Sequence, residues 1–236
     1  MLSKINSFGI FGIEAFPVEI EVDIAAGLPA VNIVGLADTS VKESRERIKA
    51  AIKNSGFSFP AHRITVNLAP ADTKKEGALF DLPIALGILA SSQQIDPIAL
   101  RDFVFVGELS LEGQLRPIKG ALPIVMKMAS QRIRTILLPL ANTKEATLIK
   151  EIDVFGTQTI KETIHLLANK TSAQPLRTDR DKNIFHQQHY TEDFADVKGQ
   201  FMAKRALEVA VAGSHNILTL WNQCYQRWGI LGDGLI

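Results

Sequence analysis

Cysteine is nearly absent: Cys224 is the only one in 236 residues. This excludes an internal disulfide framework and sets the expectation of a reducing, cytosolic setting. Charge of one sign is missing too. The formal net charge is +1, so no global field draws the chain to nucleic acid or to a membrane surface. Nucleic-acid binding would need a local patch. No long apolar run exists. The longest, Leu82 to Ala90, falls far short of the ~20 residues of a membrane-spanning helix. The amino terminus carries Lys4 among mixed residues and lacks the order of a signal peptide. Tryptophan is scarce, and both residues, Trp221 and Trp228, fall near the end of the chain. The rest is ordinary for a globular protein: 46% hydrophobic and 22% charged residues, enough for one large domain or one domain plus part of another.

One stretch organises the chain, Arg63 to Ser92. Ile64, Val66 and Leu68 alternate with Thr65 and Asn67, the period of a half-buried strand. Pro70 to Leu79 is a polar loop holding Asp72, Lys74, Lys75, Glu76 and Gly77. Asp81 to Ser92 is almost wholly apolar and rich in Ala and Leu. It reads as a helix buried on most sides, with Asp81 as N-cap and Pro83 in the first turn. Strand, loop and helix place the loop at the end of a sheet, where ligands often sit.

Before this stretch, Phe8 to Ile13 reads as a short strand. Val18, Ile20, Val22 and Ile24 alternate with Glu19, Glu21 and Asp23, a strand with one wet face. Gly27-Leu28-Pro29 turns the chain into a third strand, Ala30 to Val34. A helix follows Gly35. Ser40 and Glu43 fit a capping box there, with Asp38 as a competing cap. Val41, Ile48 and Ile52 share one helix face, Glu43 and Arg47 form an i,i+4 pair, and Gly56 is the stop. Lys42, Arg45, Arg47 and Lys49 are interleaved by Glu43 and Glu46, which fits a solvated face better than a phosphate site.

After it, the pattern predicts a strand over Phe103 to Val106 and a short strand and turn between Gly107 and Gly113. A helix over Gly120 to Arg132 and a strand over Thr135 to Leu138 follow. Asn142 to Lys150 reads as a capped helix, Val154-Phe155 as a strand and Thr159 to Ala168 as a helix. Strands followed by alternating helices and strands within about 168 residues predict a mixed α/β, or α+β, domain. Asn169 to Thr191 is polar and aperiodic, a linker. His186 and His189 lie in it without a Cys or carboxylate set at metal-ligand spacing, and read as solvated. Lys198 to Ala212 reads as a helix and Asn216-Ile217-Leu218 as the start of a strand. Thr219 to Ile236 then has no periodicity and a composition unlike the rest.

Several phrases resemble the magnesium-chelatase-like AAA+ ATPases of the ComM/YifB family. They are Gly27-Leu28-Pro29, Val34-Gly35-Leu36, Val41-Lys42-Glu43, the run from Ile64 to Asp72, Lys75-Glu76-Gly77, Asp81-Leu82-Pro83-Ile84-Ala85 and Phe105-Val106-Gly107-Glu108-Leu109. Farther on, Asp196 to Gln200 and Ala203 to Glu208 look like the opening of that family's ATPase module. The resemblance implies a Lon-protease-like domain of ribosomal-protein-like β-α-β architecture over residues 1–168. It implies a linker over 169–192 and the incomplete start of a P-loop AAA+ module over 193–236. In the intact family it implies a hexameric motor that uses ATP and Mg²⁺, linked in the ComM branch to DNA branch migration and competence.

Two departures limit what carries over. A Lon-type protease uses a Ser–Lys dyad, and laying the motifs on that pattern puts Phe80 at the serine position and Leu122 at the lysine position. Ser91, Ser92 and Lys119 are the available substitutes, but the serines sit late in the buried helix. No catalytic residue is therefore expected. The family also continues into a P-loop whose glycines and Lys-[Ser/Thr] bind phosphates. Here the chain reads Thr219-Leu220-Trp221-Asn222-Gln223-Cys224, and Gly229, Gly232 and Gly234 have no following lysine. No nucleotide-binding residue and no cofactor is expected in this chain, and the motor's remaining motifs would lie past Ile236. A reading-frame shift near codon 218 would produce such a tail, and a genuine short protein is the alternative. The expectation is a non-catalytic module, with residues 193–236 poorly docked because Leu207, Val209 and Val211 lack cover. The other reading is a subunit that binds full-length motor subunits or DNA through the 70–79 loop, with Lys74 and Lys75 as phosphate contacts.

Overall fold

A computed structural model describes residues 2–169, 173–177, 195–213 and 215–217. The chain divides into two units, Met1–Asp179 and Arg180–Ile236.

The first unit is built on a seven-stranded mixed sheet. Its strands are β1 (Leu2–Phe11), β2 (Glu14–Ala25), β3 (Ala30–Val34), β4 (Arg63–Ala69), β5 (Val104–Phe105), β8 (Thr135–Pro139) and β9 (Asp153–Thr157). The order across the sheet is β3-β4-β2-β1-β5-β8-β9. The centre is antiparallel, β1 with β2 and β2 with β4. Both flanks are parallel: β3 with β4 on one side, and β1 with β5, β5 with β8 and β8 with β9 on the other. Two short strands, β6 (Glu108–Leu109) and β7 (Leu115–Arg116), make a separate hairpin. The mixed α/β class follows from the alternation of strands and helices in the second half of the unit.

Helix α1 (Thr39–Asn54) buries Val41, Ile48 and Ile52, the face that the 3.6-residue period selects. Its cap is Asp38, whose carboxylate accepts from the Val41 N–H at 2.9 Å. The Ser40/Glu43 capping box does not form, because the Ser40 hydroxyl donates to Asp38 at 2.8 Å instead. Helix α2 (Asp81–Ser91) is buried at every residue. It lies close against β1 and β2 at Gly87, where a Cβ would stand 2.6 Å from Val22 Cγ2 and 2.7 Å from Ile5 Cδ1. Hydroxyls stitch its far end to the sheet: Ser3 Oγ donates to the Gly87 carbonyl at 2.9 Å and Ser91 Oγ to the Val22 carbonyl at 2.8 Å.

Helices α3 (Ala121–Ser130) and α5 (Ile160–Ala168) match their expected positions, with Thr159 capping α5. The expected helix from Asn142 to Lys150 shrinks to a 3₁₀ turn, Leu140–Asn142, and one turn of helix, α4 (Thr143–Ala146). Asn142 is not its cap. Its side-chain amide pairs with both backbone groups of Ile118, at 2.9 and 2.8 Å, so the tertiary contact takes the group that a local cap would need.

The second unit shows helix α6 (Phe201–Gly213). Val209 is 49% and Val211 78% exposed on it, while Leu207 is half-buried. Asn216 and Ile217 are not in a strand. His186, His189, Cys224, Leu218 and the tail from Thr219 lie outside the described residues.

Candidate functional site

The 70–79 loop leaves the end of β4 and is pinned to the chain ahead of α1. The Lys75 N–H donates to the Leu36 carbonyl, and the Asp38 N–H donates to the Lys75 carbonyl, both at 3.1 Å. The Gly77 N–H donates to Ser40 Oγ at 3.1 Å. Gly35 must be glycine here: its φ is +97° and a Cβ would sit 2.2 Å from the Leu68 carbonyl oxygen. Gly77, at φ +84°, then turns the chain into a 3₁₀ turn, Ala78–Phe80, that runs straight into α2.

The two lysines of the loop are adjacent in sequence and face opposite environments. Lys74 is exposed, and its ammonium pairs with Glu76 at 2.6 Å, which raises its pKa above the ordinary lysine value. Lys74 also lines a shallow groove of about 360 Å³ with Ile33, Val34, Leu36 and Ala37. Lys75 is wholly buried, and its ammonium has no hydrogen-bond partner among the described residues. Burial pushes its pKa below the ordinary value, with Asp72 opposing. The pair therefore does not form one exposed basic patch.

At the start of α2 stands a buried ion pair that sequence reasoning missed. Arg47 Nε donates to Asp81 Oδ2 at 2.6 Å and Arg47 Nη2 to Oδ1 at 3.1 Å. The Leu109 N–H donates to Oδ2 at 3.1 Å. Asp81 is 1% exposed, and burial pushes its pKa up to about 6 against the pull of Arg47. Asp81 is thus not an N-cap: it is the first helical residue, and its carboxylate joins α1, α2 and the β6–β7 hairpin. Arg47 in turn faces Asp81 rather than solvent, and the expected Glu43–Arg47 pair gives way to this one. The signal available in the sequence was a helix face mixing Arg47 with apolar positions, but the partner lies 34 residues away.

Phe80 and Leu122, the residues laid on the Ser–Lys dyad positions, both pack in or against the core. Phe80 is 1% exposed and packed into the core. Leu122 lies in the first turn of α3, where its N–H donates to the Glu145 carboxylate at 2.9 Å. Ser91 stands ten residues beyond Asp81, about 15 Å along the helix at 1.5 Å per residue. Its hydroxyl is spent on Val22 and on Ser3, 2.7 Å away. Ser92 donates to the Leu89 carbonyl at 3.1 Å, and Lys119 is exposed. Among the described residues no group of three or more His, Cys, Asp or Glu side chains could hold a metal ion. No helix among them is long and apolar enough to cross a membrane.

The model of the ChlI subunit of Mg-chelatase matches residues 20–142, more than half of the chain and all of the loop and helix just described. A second model, magnesium chelatase subunit ChlI, matches residues 193–222. The chain belongs to the ChlI-like Mg-chelatase family of ComM and YifB. Competence protein ComM of Haemophilus influenzae is 41% identical over 221 residues, 93% of this chain and 43% of that protein. The uncharacterized protein YifB of Escherichia coli is 39% identical over 220 residues, 93% of this chain and 42% of that protein. The archaeal Lon protease of Thermococcus kodakarensis is 24% identical over 175 residues, 70% of this chain and 27% of that protein. This ComM/YifB family chain spans about two fifths of the length of the ComM and YifB proteins it matches. It contains no Gly-Lys-[Ser/Thr] triplet.

Proposed function

We propose that this chain is a non-catalytic Lon-like module of a ComM/YifB-type protein. The intact family reads as an ATP-driven DNA-processing motor linked to competence and branch migration. The observation that carries the proposal is the pair of side chains at the dyad positions. Phe80 offers no nucleophile and Leu122 no base, and the Ser91 and Ser92 hydroxyls are engaged elsewhere. The lack of a Gly-Lys-[Ser/Thr] triplet supports the same conclusion for ATP hydrolysis. In this reading the 70–79 loop is a structural brace, held by backbone bonds to Leu36 and Asp38 ahead of α1 and by the Gly77 N–H to the Ser40 hydroxyl. Titration of the full chain with a fluorescent ATP analogue in Mg²⁺ tests it. The expected result is no saturable binding; saturable binding and turnover would overturn it.

A second reading takes the loop as a contact for DNA. Lys74 is exposed there, which favours it, but Glu76 already pairs with it, and Lys75 must leave the core to reach a phosphate. Salt-dependent DNA binding that weakens in the Lys74→Ala plus Lys75→Ala variant supports this reading. No binding at low salt ends it.

A further inference from the structure

Charge is not spread evenly over the first unit. From Lys119 to Lys150 the chain has six lysines and arginines, Lys119, Lys127, Arg132, Arg134, Lys144 and Lys150, against one carboxylate, Glu145. The whole chain has a formal net charge of only +1. All six cations are exposed, and none makes an ion pair or a side-chain hydrogen bond among the described residues. Elsewhere Lys4, Arg47, Lys74 and Arg116 each hold a carboxylate. Glu145 pairs with none of the six: its carboxylate lies at the start of α3 and accepts from the Leu122 N–H at 2.9 Å. Tertiary contacts gather the six on the outer surface of α3 and α4. Two bonds between Ile118 and the Asn142 side chain, at 2.9 and 2.8 Å, put Lys119 beside α4 and Lys144. At the other end of α3 the Asp153 N–H donates to the Arg134 carbonyl at 2.6 Å, which brings the chain after Lys150 to Arg132 and Arg134. Lys127 lies between, on the exposed face of α3. The row from Lys119 to Arg132 is about 20 Å long at 1.5 Å per residue.

We propose that this row is a contact for the phosphate backbone of duplex nucleic acid. The side chains around the charges decide the class of partner. A protein interface is anchored by buried aromatic or aliphatic side chains, and a single-strand site by aromatics on which bases stack. Residues 119–150 contain no Phe, Trp, Tyr or His, and only Met126 and Leu140 are large, apolar and exposed there. Cations with so little apolar area between them suit a rigid row of phosphates, spaced about 3.4 Å along each strand. Contacts of this kind position a duplex and carry no sequence information. The even net charge of the chain hides the row, because carboxylates gather elsewhere, with Glu19, Glu21 and Asp23 in line on β2. The site uses no residue of the 70–79 loop and does not rest on that reading.

Fluorescence anisotropy of a labelled duplex of ~30 base pairs and mixed sequence, titrated with the full chain from ~25 to ~200 mM salt, tests this. The logarithm of affinity should fall with the logarithm of salt concentration at a slope of about −3.5 to −5.5, as about four to six neutralised phosphates require. The triple variant Lys119→Gln, Lys127→Gln, Lys144→Gln should bind about tenfold or more weakly at ~50 mM salt and flatten the slope by about 3. The control Lys49→Gln, Lys53→Gln, Lys161→Gln removes the same charge from exposed positions on α1 and α5. It should cost less than about threefold. Circular dichroism of both variants should match the parent. No binding by the parent at the lowest salt overturns the proposal. So does an equal loss in the two triple variants, which would mark a response to net charge alone. Binding lost in Lys74→Ala plus Lys75→Ala but kept in the Lys119 triple variant would assign the contact to the loop and overturn it too. A single strand of the same length bound more tightly than the duplex, or displacement of the duplex by polyglutamate at equal charge, would mean another class of partner and also overturn it.

Discussion

The Arg47–Asp81 pair makes the sharpest demand on stability. Asp81 is almost fully buried, and Arg47 supplies two of its hydrogen bonds. In Arg47→Met the carboxylate keeps only the Leu109 N–H. Removing one partner of a buried pair costs about 3–5 kcal/mol, because the remaining charge is uncompensated. The cost depends on pH. In the parent, burial already raises the Asp81 pKa from 3.8 to about 6, so the folded state holds this proton more tightly than the unfolded chain. That contribution, about 3 kcal/mol for such a displacement, is complete below the unfolded pKa and is lost as pH rises through about 6. Without Arg47 the pKa rises further. Between pH 8 and pH 5 the carboxyl of the variant takes up its proton, and the penalty shrinks by up to ~1.4 kcal/mol per pH unit. Urea unfolding followed by far-ultraviolet circular dichroism measures this; both tryptophans lie past residue 219, so fluorescence is the poorer probe. Arg47→Met should cost at least about 3 kcal/mol at pH 8 and about 2 less at pH 5. Adding Asp81→Asn should recover part of the loss at pH 8. A cost under about 1 kcal/mol at pH 8, or the same cost at both pH values, would refute the reasoning.

Three other outcomes are expected. Lys75→Met replaces a buried, unpaired amine by an apolar chain of similar length and should be neutral or stabilising by about 1 kcal/mol. The parent should gain on this variant as pH rises towards 10, since its folded state favours the neutral amine. A loss above about 2 kcal/mol in thermal or urea unfolding would show that the amine has a partner. Gly87→Val should destabilise by about 1–3 kcal/mol through overpacking against Val22 and Ile5, read as a lower urea midpoint; an unchanged midpoint would mean that α2 can move off the sheet. Gly35→Ala meets both a left-handed backbone and the Leu68 carbonyl, and should lower the melting temperature or the soluble yield, whereas an unchanged melting temperature would place Gly35 differently.

The sequence was most legible where burial is periodic. The wet face of β2, the buried face of α1 and the all-round burial of α2 each repeat a local pattern. β1 was harder, because serines occupy two of its buried positions. Ser3 and Ser7 are satisfied by the Gly87 and Phe105 carbonyls, more than 80 residues away, so an apolar count stops short at Phe8 while the strand begins at Leu2. The same distance effect hid the site. Asp81 looks like a cap and Arg47 like a surface residue until the fold brings them within 2.6 Å. Lys74 and Lys75 look alike until Lys75 N–H and C=O pair with the chain before α1, setting one side chain outside and its neighbour inside.

Hydrolysis of a fluorogenic peptide by the full chain tests the central claim most directly, with Ser91→Ala and Lys119→Ala variants measured alongside. The account predicts a rate equal to buffer for all three proteins. Peptide cleavage by the parent that is lost in either variant would contradict it, and would mean that a serine and a lysine form a working pair in spite of Phe80 and Leu122.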